Sequence, residues 1–312
     1  MPWVVGIDEA GYGPNLGPLV QAAVALPLPE PDLGGWATLQ AVVRRSREPV
    51  DSRLLIDDSK KVYTRGGLAA LERGLWPVLG ESSHRLDHFL WGPGAVPAWG
   101  EDLGGENWFN GSESLPLAVD PAAEWANGTA FRAAIGQRCR SAVRIVPAFR
   151  FNQIVDATGS KAMVLTRGLT ELLVSLTEEL PAGEPIVFLC DKLGGRNFYA
   201  GLVQEAFPAG WVIAEKETAA ESRYRVELLG RPVRIVFRPR ADGESVAVAL
   251  ASMLGKYLRE VCMAQFNRFW SQLVPGIKPT AGYPVDARRF FNQIKPALAQ
   301  LGLGVDQVWR KK

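Results

Sequence analysis

Histidine and cysteine are scarce: the 312 residues hold two of the first and three of the second. Cys139, Cys190 and Cys262 are odd in number and widely spaced, which suits neither a disulfide framework nor a zinc ribbon. The expectation is therefore a reducing compartment, the cytoplasm. No apolar run approaches the roughly 18 residues of a membrane span. The opening MPWVVGIDEAGYG lacks the basic stretch and long apolar stretch of an export signal. Neither sign of charge dominates: 35 Lys and Arg against 33 Asp and Glu leave a net charge of +2. That balance neither announces nor excludes a nucleic-acid binder, since local patches matter more than the total. Repeats and low-complexity tracts are also missing. With 47% hydrophobic residues, the chain has enough apolar material to form an ordered globule.

The two histidines, His84 and His88, are four apart. On a helix they could meet as zinc ligands. The segment His84–Leu90 reads as a strand, however, where they share a face but stand too far apart for one ion. The glutamate that would complete a metalloprotease pattern is missing beside His84.

What is present reads as an α/β or α+β chain with a mixed sheet, of which α/β is the expectation. Trp3 to Asp8 is a buried strand running into a turn, GYGPNLGP, and Leu19 to Leu26 returns as its hairpin partner. Leucines at 68, 71, 75 and 79 predict a helix over 64–80. From 91 to about 140 the chain is rich in Gly, Pro and Trp (Trp91, Trp99, Trp108, Trp125), which predicts a loop-rich insertion. Its aromatics either pack a satellite core or form a platform for stacked bases. A strand at 143–149, one amphipathic helix at about 153–180, a buried strand at 185–190 and a short helix at 198–207 follow. Then come a strand at 211–214, a strand or hairpin at 225–238, a helix after Asp242 rich in small residues, and a last helix at 286–301. The predicted organisation is a catalytic domain over 1–262, carrying the insertion at about 91–140, and a C-terminal helical subdomain over 263–312.

Acids recur where α/β sheets build sites, at strand ends and helix starts. Asp8 and Glu9 end the first strand, Asp191 ends a buried strand, and Asp242 precedes a helix. Taken singly, each has a structural explanation: Asp242 as an N-cap, Asp191 as a turn cap, Asp8 and Glu9 as ion-pair partners. Together they repel one another unless cations intervene, and hard divalent cations choose oxygen ligands and pair with phosphates. Lys60 and Lys61, in a predicted loop, read as phosphate contacts or as local ion pairs. Lys192-Leu193-Gly194-Gly195-Arg196 reads as a phosphate-holding turn or a plain connection. Arg238 and Arg240 face nucleic acid or solvent. Glu244 falls in a first helical turn, where it favours the helix dipole.

The run GIDEAGYGPNLGPLVQAAV at 6–24 resembles the opening motif of type 2 ribonucleases H (the ribonuclease HII family). Asp57-Asp58-Ser59-Lys60-Lys61 is similar to that family's Asp-Ser-Lys-Lys motif. The strand ending at Asp191 resembles the one that delivers its third acid. ADGESVAVALASMLGK at 241–256 is similar to its Ala-Asp helix start, with Ser252 and Lys256 in register. Thr280-Ala281-Gly282-Tyr283 resembles its Gly-Tyr. The resemblance implies a ribonuclease H-like mixed sheet flanked by helices and hydrolysis of RNA strands paired to DNA, leaving 5′-phosphate and 3′-hydroxyl ends. It implies a site for two Mg²⁺ or Mn²⁺ ions on Asp8, Glu9, Asp191 and Asp242. It also implies substrate contacts from Gly11, Tyr12, Gly13, Lys60 and Tyr283, and a monomer acting on hybrids or ribonucleotide-containing DNA. Two departures stand out. Tyr12 replaces an arginine that contacts a phosphate at RNA–DNA junctions, and the tryptophan-rich insertion has no counterpart. Two other classes compete. A sugar-kinase relative would place Gly and then Thr or Ser soon after the Asp, where Glu9 stands. A non-catalytic binder of hybrids or structured nucleic acid would have little reason to keep four acids together.

Overall fold

The computed structural model describes residues 1–30, 32–80, 84–91, 100–228 and 230–311. β1 (Trp3–Ala10) and β2 (Leu19–Pro27) form the predicted hairpin. Two short strands, β3 (Val43–Arg44) and β4 (Leu54–Leu55), lead into α1 (Ser59–Leu79). β5 (His84–Arg85) and α2 (Leu86–Trp91) precede the insertion, in which lie α3 (Gly100–Gly104), β6 (Ser114–Leu115), α4 (Pro121–Asn127) and α5 (Thr129–Ala134). β7 (Arg140–Val146), α6 (Ala148–Thr158), α7 (Ala162–Glu179), β8 (Ile186–Asp191) and α8 (Ala200–Ala206) follow. β9 (Trp211–Glu217), β10 (Ser222–Leu228) and β11 (Arg231–Arg238) complete the strands, and α9 (Val246–Leu273) and α10 (Pro284–Gln300) end the fold.

The main sheet has seven strands in the order β7-β2-β1-β8-β11-β10-β9. β8 lies parallel to both β1 and β11, and the other pairings are antiparallel. This is the mixed sheet flanked by helices that the sequence implied. Alternation along β1 divides two cores. Val5 and Ile7 pack with Leu169, Leu172 and Leu176 of α7. Val4, on the other face, packs with Ala247, Leu250 and Leu254 of α9. α9 runs continuously through position 262. Beyond it, Phe266, Trp270, Phe290, Ile294 and Leu298 form a cluster of their own with Leu16.

Several local expectations need correction. Lys60 and Lys61 lie in the first turn of α1, not in a loop, because the Asp58 carboxylate accepts bonds from both their amides and caps the helix. The amphipathic stretch at 153–180 is two helices, broken where Gly159 adopts a left-handed conformation. His88 sits in α2, not in a strand. Much of the insertion is short helices. It is tied to α1 through the buried Glu72 carboxylate, which accepts bonds from Leu117 N (2.6 Å) and Ala118 N (2.8 Å). Trp108 joins the C-terminal cluster against Phe266 and Trp270, and Trp125 lies under Arg132 at 3.4 Å. Trp99 lies outside the described residues.

Candidate metal and nucleic-acid site

Gly6 lets α9 lie directly on β1, since a Cβ there would stand 2.1 Å from Val248 N. Two residues on, the same strand face carries Asp8 to Ser252 of α9, whose hydroxyl favours the charged carboxylate. Ser252 Oγ and Ser59 Oγ hydrogen-bond at 3.0 Å, joining α9 to the start of α1. Asp8 accepts from Glu9 N at 2.8 Å. The parallel register sets Ile7 opposite Cys190, so Asp8 and Asp191 end neighbouring strands. Cys190 belongs to the α7 core and Leu189 packs on the α9 core. Alternation therefore puts Asp191 on the α9 face with Asp8. Its carboxylate accepts from Lys192 N at 3.0 Å, and the amides of Ala241 and Arg240 favour its charged form. That ties β8 to the 3₁₀ turn Ala241–Gly243 and so to Asp242.

Burial and mutual charge act on these acids in the same direction. Burial, then the Glu9 charge, raises the Asp8 carboxyl well above its ordinary range. Burial, then Asp191, pushes Glu9 up to about 7. Burial chiefly raises Asp191. Burial, then Asp58 and later Asp191, raises Asp242. The Lys60 ammonium opposes this at Glu9 and Asp191, and Lys61 opposes it at Asp242. Asp242 does not cap α9; Ser245 occupies that position, and Asp242 accepts from Gly243 N at 2.9 Å.

Among the described residues, no three His, Cys, Asp or Glu side chains stand as a ready-made metal cage. The donor chemistry nevertheless suits a hard divalent cation. All four groups are carboxylates held against their own repulsion, and a cation would relieve it.

Gly11, Tyr12 and Gly13 leave β1 beside Glu9. Gly11 has φ +88°, and a Cβ on it would meet Arg259 Nε at 2.4 Å. Tyr12 lies under the Lys161 ammonium at 4.2 Å. Tyr283 heads α10, half exposed, on a loop that packs against this turn. Gly282 O accepts from Asn15 N (2.8 Å), and Arg259 Nη2 donates to Ala281 O (2.8 Å). Arg259 was not singled out in the sequence. It stands seven residues after Ser252, two turns along the same face of α9, and an arginine on an apolar helix face is the signal that would have found it.

The neighbouring basic groups divide. Lys192 is committed to Asn197 (2.8 Å) and Thr218 O (2.6 Å), so it serves the turn it sits in. Arg238 bridges Glu221 and Glu244. Glu244 lies ahead of α9, not in its first turn. A cavity of about 350 Å³ opens on the α9 side of β8 and β11, walled by Leu189, Val236 and Ala241 and rimmed by Arg223, Arg234 and Arg238.

Known structures show what this chain is similar to. A ribonuclease H3 from Aquifex aeolicus aligns with a TM-score of 0.48 and 12% identity, over 98% of this chain and 71% of that one. The ribonuclease HII in a PCNA complex from Archaeoglobus fulgidus gives 0.45 and 16%, over 99% and 94%. A ribonuclease H2 from Pyrococcus horikoshii gives 0.45 and 14%, over 98% and 92%. No protein-family model matches the chain, and no curated protein matches it.

Proposed function

We propose that this chain is a metal-dependent endonuclease that hydrolyses the RNA strand of RNA–DNA hybrids, leaving 5′-phosphate and 3′-hydroxyl ends. One observation carries the reading. Asp8, Glu9, Asp191 and Asp242 come from three separate elements, and the Asp191 charge raises the carboxyls of the other three. A fold that served binding alone would gain nothing from that repulsion. The motif resemblance over the same residues supports it.

The four carboxylates would hold two divalent cations, Mg²⁺ or Mn²⁺, which when bound supply an activated water and a counter-charge for the phosphodiester. The chain's own groups do the rest. Lys60, beside Glu9 and Asp191, meets a non-bridging phosphate oxygen. The Gly11-Tyr12-Gly13 turn lets backbone approach the ribose, and nothing stands within 4 Å of a Cβ on Gly13. Tyr283, presented by the C-terminal subdomain 263–312, offers its exposed ring to the sugar beside the scissile bond. Ser252 holds Asp8 to α9 and fixes its distance from the neighbouring acids. The enzyme works as a monomer in the cytoplasm.

The test is cleavage of three labelled duplexes, an RNA·DNA hybrid, DNA with one ribonucleotide, and plain DNA, with Mg²⁺, Mn²⁺ or EDTA. Metal-dependent cutting of a ribonucleotide-containing duplex, lost in Asp8→Asn, is expected. Hybrid binding without cutting under either metal would turn the reading to a non-catalytic binder.

A further inference from the structure

Behind the Gly11–Pro14 turn the protein buries positive charge that it does not neutralise. Arg310 is 1% exposed. Its amide donates to Asn15 O at 2.8 Å, and Trp309 pairs with Leu16 as an isolated antiparallel bridge. Its Nη2 donates to Gly11 O at 2.6 Å and to Pro14 O, and the guanidinium lies 4.9 Å from the Phe151 ring. Nε and Nη1 are buried without a hydrogen-bond partner. Burial first, then the charge of Arg259, lowers its pKa to about 9.

Arg259 repeats the pattern. It is 2% exposed and its Nε has no partner. Its nearest ion-pair partner, Glu260 at 3.6 Å, is already bonded to Lys256 (2.6 Å) and Tyr63 (3.0 Å). A buried guanidinium with unmet N–H groups and a like-charged neighbour is costly unless an anion completes it.

A cavity of about 390 Å³ opens at this point, and Arg310 forms part of its wall. Asn15, Pro284, Arg288, Trp309 and Lys311 complete the lining. Three cations and no carboxylate therefore face it. Lys311 is paired outside with Asp156 at 2.6 Å. Arg288 is exposed and makes no ion pair among the described residues. Pro284 places the cavity next to Tyr283.

We propose that this cavity is a phosphate subsite. It takes one backbone phosphate of the strand held at Tyr283, with Arg288 as its donor and the buried Arg310 charge behind it. The exposed Arg288 guanidinium fork matches a phosphate's two free oxygens, while the Arg310 Nη2 hydrogens are taken by Gly11 O and Pro14 O. The proposal rests on the nuclease reading for the identity of the strand, and on Arg310 for the site. It also accounts for Tyr12: with no arginine on the turn itself, Arg310 supplies a positive charge from beneath it.

The experiment measures binding of a short fluorescent RNA·DNA hybrid in EDTA across a salt series, with inorganic phosphate as competitor. Arg288→Gln changes an exposed side chain and Arg310→Lys keeps the charge without the paired bonds to the turn. If Arg310→Lys fails to fold, Arg288→Gln carries the test alone. The expected result is about tenfold weaker binding by Arg288→Gln, with the log–log salt slope reduced by about 1, and phosphate competing less well than in the wild type. Unchanged affinity and slope in Arg288→Gln overturns the subsite, whether or not phosphate competes. A wild-type protein that binds no hybrid overturns it too. The nuclease reading is scored separately: cutting that survives Arg288→Gln with unchanged binding removes only the subsite, and Arg288-dependent binding without cutting under Mg²⁺ or Mn²⁺ removes only the nuclease.

Discussion

Gly6 of β1 lies flat against the backbone of Val248 of α9, so close that a methyl group on Gly6 would meet the Val248 nitrogen at 2.1 Å. Backbone cannot swing aside as a side chain does. Gly6→Ala must therefore lift α9 from the sheet, and overpacking of this kind costs about 1–3 kcal/mol. Denaturant unfolding should show that loss. Ser252 would also leave Asp8, so hybrid cleavage should fall further than stability alone explains. Wild-type stability in the variant would mean that α9 does not seat as described.

The turn at Tyr12 makes its own prediction. Tyr12 occupies the position of the arginine in the resembling motif, under the Lys161 ammonium. Tyr12→Arg should raise the preference for a single embedded ribonucleotide over a uniform hybrid, by about tenfold for one charge-assisted bond. Paired with Lys161→Gln, which removes the facing charge, the gain should be larger. A preference that moves in neither variant shows that the turn does not read the junction.

Arg231 is placed to close the end of α7. Its guanidinium donates to Glu184 O (3.0 Å), Leu180 O (2.8 Å), Thr177 O and Pro181 O, satisfying carbonyls at and beyond the helix terminus. Arg231→Met keeps much of the volume and removes every donor. Stability should fall by about 1–3 kcal/mol, with hybrid binding unchanged by the substitution. A drop in binding at full stability would place Arg231 in the interface instead.

The sites that were legible in the sequence share one property: their meaning is local. An apolar strand that ends in an acid announces itself, which is why Asp8 and Asp191 stood out. The helix start at Asp58 was equally local, since Asp two and three residues ahead of donating amides is an N-cap pattern, and weighing it would have put Lys60 on α1. Arg310 was not legible, because its partners Gly11 and Pro14 lie 299 and 296 positions away. The short helices of the insertion were hidden for the same reason. Such helices are marginal alone, and a carboxylate on α1, Glu72, holds the neighbouring chain in place.

Asp286 sets a pH dependence on the loop that carries Tyr283. Burial works to raise its carboxyl, but bonds from Thr280 Oγ1 (2.5 Å) and Arg289 outweigh it and hold the group below 3.8. A carboxyl that binds its proton more weakly when folded adds stability above its unfolded pKa and loses it as the pH falls through the folded value. The wild type should therefore melt higher than Asp286→Asn at neutral pH, and the gap should close below about pH 4. A gap that stays constant into strong acid would show that the carboxylate's charge plays no part.

Asp191 offers the sharpest separation of stability from function. It is raised by burial while facing Asp8, Glu9 and Asp242, so in metal-free protein its charge is a burden on the fold. Asp191→Asn removes that charge and keeps the side chain's shape and its acceptor oxygen for Lys192 N. Without metal, the variant should melt above the wild type. With Mg²⁺ or Mn²⁺ the order should reverse. On the proposed function, cation binding stabilises the folded wild type by about 2.7 kcal/mol at a hundred times its dissociation constant, and the variant lacks one of the proposed ligands. A scanning thermal melt of both proteins in EDTA and in each metal decides it. Equal shifts with metal in the two proteins would remove Asp191 from the ligand set. A variant less stable than the wild type in EDTA would show instead that the neighbouring backbone amides outweigh the repulsion, leaving Asp191 a structural group between β8 and the Asp242 turn.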